Sequence, residues 1–136
     1  MSVMVEDTEF VILDLKQFAK SCVTLGLVLD MESKTCHAFT DSSCDGVVRV
    51  AAPENSNRKP YEAMIRKVTH EGKTAYRLSV DDWNGGRGMT AVIGEDGNHL
   101  KNRYGADVVR KQLQREGLAV RETTGANGSI VLTALA

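Results

Sequence analysis

Residues 61–82, "YEAMIRKVTHEGKTAYRLSVDD", constrain the chain more than any other stretch. Tyr76, Leu78 and Val80 alternate with Arg77 and Ser79, the two-residue period of a strand that buries one face. "YEAMIRKVT" reads as a preceding strand, and only "HEGK", His70 to Lys73, separates the two. So short a turn joins strands antiparallel, because parallel neighbours need a crossover of a dozen or more residues. "TCHAFT", "GVVRVAA" and "MTAVIG" read as further strands between Gly, Asp, Ser and Pro boundaries, and "PENSNRKP" (Pro53 to Pro60) as a polar loop.

Helical spacing flanks this strand-rich middle. Leu15, Phe18, Ala19 and Cys22 recur at i, i+3, i+4 and i+7, with Val23 and Leu25 widening the stripe. Asp14 is placed to cap the first turn and Gly26 to end the helix, which predicts a helix over 15–25. A second helix is expected over 99–116, with Leu100, Tyr104 and Val108 in one row and Val109 with Leu113 beside it. Asn98 is its expected N-cap and Gly117 its terminator, while Gly105 implies a close packing contact. "LAVRET" and "SIVLTAL" then flank "TGANG", a tight-hairpin signal.

These elements predict an α+β fold: an antiparallel sheet of about six or seven strands with two helices packed on one face. The final hairpin is expected to supply strands that the second helix crosses, with Tyr104, Val108, Val120, Ile130 and Leu132 in one core. At 136 residues, with 42% hydrophobic and 26% charged, the chain fits a single domain over residues 1–136. The net charge of −1 argues against a dedicated polyphosphate binder. Apolar runs are too short to cross a bilayer, and no secretory signal opens the chain, so a cytoplasmic location with reduced Cys22, Cys36 and Cys44 is expected.

No motif commits the chain to catalysis. Cys36, His37 and Cys44 lack the close Cys-x-x-Cys pair of a zinc site, and buried thiols account for them more simply. A Cys–His nucleophile, pairing Cys36 or Cys44 with His70 or His99, needs a proximity that sequence does not show. "DDWNGGRG" imitates the start of a calcium loop without its later acidic ligand, and its glycines lack the surroundings of a phosphate loop. It reads as a strand-to-strand turn that pushes Trp83 outward beside Asn84 and Arg87, an arrangement suited to a protein interface. The helix face Lys101, Arg103, Arg110, Lys111 and Arg115 is the alternative, as a nucleic-acid contact.

The run "RYGADVVRKQLQREGLAVRETTGANGSIVLTA" resembles the C-terminal signature of the hypothetical chloroplast reading frame thirty-five family. The residues that carry the resemblance are Tyr104, Val108, Gly117, Val120, Glu122, Gly128, Ser129, Ile130 and Leu132. "LKQFAKSCVTLGL" is similar to the family's first helix, and "DDWNGGRG" to a glycine-rich stretch of bacterial members. "EDGNHL" departs from the aromatic pair that members often carry there. The resemblance implies a small cytoplasmic α+β domain of bacteria, plastids or phages, without assigned catalysis. It also implies an accessory role, with an AAA-type ATPase as a candidate partner. Together these readings point to a non-enzymatic protein-binding or accessory module that needs no cofactor.

Overall fold

The computed structural model describes residues 4–52, 59–125 and 129–135. In chain order the elements are β1 (Val5–Glu6), α1 (Leu15–Thr24), β2 (Leu27–Asp30), β3 (Thr35–Cys36), β4 (Ser42–Ser43) and β5 (Gly46–Val50). β6 (Ala63–His70), β7 (Lys73–Val80), α2 (Met89–Ile93), α3 (Asn98–Arg115), β8 (Ala119–Thr124) and β9 (Ile130–Leu135) follow. The fold is α+β. Among the described residues its main sheet has five strands in the order β1-β7-β6-β5-β2, every pair antiparallel. The β6–β7 hairpin expected around His70 is present, with His70 facing Lys73.

The two-residue period divides the sheet into two faces. Val48, Ala63, Ile65, Leu78 and Val80 face the helices and join Phe18, Cys22, Met89, Ile93, Leu100 and Tyr104 in one core. Val47 and Met64 point the other way and pack against Cys36, under the small β3–β4 ribbon. Phe10, Phe18 and Tyr104 meet edge to face, with centroids 5.8 Å and 5.6 Å from Tyr104. The helices are tied together by polar contacts as well: Ser21 Oγ donates to Asp107 Oδ2 at 2.7 Å.

Both helix ends follow the expected chemistry. Asp14 Oδ1 accepts from the Gln17 N–H at 3.0 Å. Gly117 (φ 82°) turns left-handed after α3, letting its N–H reach Gln114 O and the Leu118 N–H reach Leu113 O, at 3.0 and 3.1 Å. α3 begins one residue earlier than expected, with Gly97 rather than Asn98 in the capping position. Val23 lies on the solvent side of α1 and does not widen its buried stripe.

Four expectations are corrected. The sheet has five strands because the final hairpin forms a separate two-stranded sheet against α3. Val120, Ile130 and Leu132 are therefore only half-buried, and Val108 is exposed, so of the five expected core partners only Tyr104 lies in the core. "MTAVIG" holds α2 instead of a strand: Met89 and Ile93, four apart, are both fully buried while Ala91 between them is exposed. "TCHAFT" contributes only Thr35–Cys36 as strand. Residues 53–58 of the expected polar loop, and Gly128 with the tip of "TGANG", lie outside the described residues. Among the described residues no helix is long and apolar enough to cross a membrane.

Candidate partner-binding surface

β7 delivers two aspartates at its end, and each fixes part of the chain that follows. Asp81, buried, accepts the Trp83 N–H on Oδ1 at 3.0 Å. Asp82 accepts from the Thr90 hydroxyl at 3.3 Å and from the Asp96 N–H at 2.8 Å, so it links the turn to α2 and to the start of α3. Burial, and the Asp96 carboxylate after it, raise the Asp82 pKa above the ordinary carboxylate value.

Between these anchors the backbone follows an unusual path. Asn84, Gly85, Gly86 and Arg87 are consecutive left-handed residues, with φ of 53°, 69°, 58° and 53°. Glycine adopts this conformation freely and asparagine more readily than most residues, whereas a side chain such as that of Arg87 is disfavoured by about 1–2 kcal/mol. A backbone bond holds the path in place, as the Tyr61 N–H donates to Gly86 O at 2.9 Å. The Arg87 guanidinium lies 5.1 Å from the centre of the buried Tyr61 ring, within cation–π range.

This turn holds Trp83 at the surface, 44% exposed, against Phe39, which is 53% exposed, with ring centroids 5.3 Å apart. The chain just before Phe39 is well braced at His37. The buried Glu62 carboxylate accepts the His37 N–H and the Arg49 Nε–H, each at 2.9 Å, and Arg49 reaches on to Asp30 at 2.7 Å. The His37 ring stands edge-on to Tyr61 at 5.9 Å. The structure thus brings Trp83, Asn84 and Arg87 together on one exposed turn. It adds Phe39, whose place beside Trp83 no local pattern in "CHAFT" announces.

The remaining candidates fall elsewhere. Burial pushes the Cys22 and Cys36 thiols up to about 12, opposite to what a nucleophile or metal ligand needs. Cys36 instead donates its S–H to Glu62 O at 3.2 Å. Among the described residues no three His, Cys, Asp or Glu side chains gather as a metal site. Four of the five basic residues of the second helix face are ion-paired within the chain. Lys101 meets Asp7 at 2.6 Å and Lys111 meets Asp14 at 3.2 Å. Arg103 and Arg110 both clamp Asp107 and Glu122. Arg115 remains exposed at the end of the helix. Comparison of the chain with protein-family models, curated proteins and solved structures gives no match.

Proposed function

We propose that this protein is a non-enzymatic binding or accessory module whose contact surface is centred on Trp83, with Phe39 and Arg87 beside it. One observation carries the reading: an exposed Trp83, packed on the exposed Phe39, stands on a turn that three anchors hold in a disfavoured backbone path. Tryptophan and arginine are enriched among residues that dominate interface energies, and rigid presentation lowers the ordering cost of binding. The partner on this reading is another protein, and an AAA-type ATPase is a candidate to include among those tested. The basic face of α3 is less suited to a nucleic-acid role, because its charges are mostly neutralised internally.

The test begins with capture of partners from the native host with and without nucleases, followed by titration of the purified partner. Free Trp83 should emit as a solvated tryptophan and shift on binding. Trp83→Ala should weaken binding by at least about 2 kcal/mol while changing folding stability by under about 1 kcal/mol, since the ring is half-exposed. Destabilisation by several kcal/mol with binding intact would make the turn a structural cap. A nuclease-sensitive partner lost on Arg115→Ala would move the function to α3.

A further inference from the structure

The final hairpin has an open edge with a shape of its own. Gly125 donates its N–H to Ser129 O at 2.8 Å. In an antiparallel ladder bonded pairs alternate, so Thr123↔Val131, Arg121↔Thr133 and Ala119↔Leu135 are the bonded pairs of this one. The N–H and C=O groups of Ile130, Leu132 and Ala134 therefore point away from β8, and no described strand pairs with them. β9 carries no charge, proline or glycine, the usual means of blunting an edge. On its solvent face Val131 is 51% and Leu135 43% exposed.

Beneath that edge runs a groove of about 420 Å³, with Gly105, Ala106 and Val109 of α3 on one wall and Ile130 and Leu132 on the other. No β8 residue lines it, so it lies on the side where a further strand would add. Gly105 sits inside α3, where glycine disfavours the helix. A Cβ there would meet nothing within 4 Å, so the packing contact expected of this glycine is not made among the described residues.

We propose that β9 pairs with β9 of a second copy of this chain, joining two hairpins into one four-stranded antiparallel sheet. Centred on Leu132, a two-fold pairing opposes Leu132 with its own copy and Ile130 with Ala134. All three outward-facing residues then exchange bonds with a partner, about six hydrogen bonds across the interface. Every opposed pair is uncharged, and the partner's Ile130 and Leu132 side chains enter the groove above Gly105. The β8 edge is not self-complementary in this way, because the equivalent pairing would set Glu122 against its own copy. A two-stranded sheet is marginal by itself, and four strands with a filled face are not.

Sedimentation of the full chain over a range of concentrations tests the proposal, with two variants. Ala134→Pro removes an outward N–H and leaves the β8-facing bonds intact. Gly105→Leu fills the groove while improving helix propensity, so loss of folding does not explain its effect. The wild type should reach twice its chain mass of 14.8 kDa. Each variant should weaken the dimer at least about tenfold while thermal melting shows a folded monomer. Amide exchange at Ile130, Leu132 and Ala134 should slow with concentration in the wild type alone. A wild type that stays monomeric, a dimer that survives either variant, or assembly beyond a dimer overturns the proposal.

Discussion

Replacing Tyr104 by Phe removes one oxygen and tests what joins α3 to the start of α1. That oxygen accepts the N–H groups of Leu13 and Asp14, at 3.2 Å and 3.0 Å. A neutral hydrogen bond contributes about 0.5–1.5 kcal/mol net, and two orphaned donors bring the loss to about 1–3 kcal/mol. Leu13 is exposed, so water can take up its N–H; the lower half, about 1–2 kcal/mol, is the expectation. Tyr104→Ala also removes the ring that Phe10 and Phe18 contact edge-on, and should cost about 3–5 kcal/mol. Urea melts with unchanged slope would give both values, and amide exchange at Leu13 and Asp14 should quicken in the Phe variant. If Tyr104→Phe lies within about 0.5 kcal/mol of wild type with the Asp14 amide still protected, the contact does not tie the two helices.

The Glu122 carboxylate is held down to about 2 by Arg103 and then Arg110, against an ordinary value of 4.5. A depressed folded-state pKa stabilises above the unfolded value and is lost as pH falls, so acid should weaken the fold between about 4.5 and about 2 through this group. Glu122→Gln should flatten that limb of a pH-dependent melt, by no more than about 1 kcal/mol because the site is partly exposed. Arg49→Leu leaves the buried Glu62 without its principal cation and should cost about 3 kcal/mol in urea denaturation. The Arg49→Leu/Glu62→Gln double variant, which removes the charge and keeps an acceptor for the His37 N–H, should recover much of that loss, and failure to recover would mean that the pair is not coupled.

What the sequence made legible was local. The β6–β7 hairpin, the Asp14 cap and the Gly117 stop each depend on residues within a few positions, and all three are present. Elements whose placement depends on distant partners were misread. The final hairpin alternates as a sheet strand should, and nothing within it states that the β1–β7 edge is already closed elsewhere. "MTAVI" is apolar enough to satisfy either period, and its helical form follows from the reversal of the chain at Asn84–Arg87 just before it. The Trp83 turn was legible from Asn-Gly-Gly, but its left-handed continuation through Arg87 was not. Nor was Phe39, which reaches Trp83 only because β3 and the segment after it fold back over the sheet.

The same turn bears on why Trp83 stands where it does. A segment serving only to connect β7 to α2 would gain by placing glycine wherever the backbone is left-handed, and three glycines already occupy 85, 86 and 88. Asn84 and Arg87 occupy the other left-handed positions; asparagine is tolerated there, but Arg87 costs about 1–2 kcal/mol, a noticeable fraction of a total stability of about 5–15 kcal/mol. Arg87 recovers part of it over the Tyr61 ring, which ties the turn to the core rather than to its own neighbours. The Asp81 and Asp82 carboxylates act in the same direction, on the Trp83 amide and on the chain entering α3. Held from both ends and from below, the turn restricts the backbone that carries Trp83, which on the proposed reading happens before a partner arrives. That restriction is of little use to a connector, whereas it reduces what a contact residue must lose on binding.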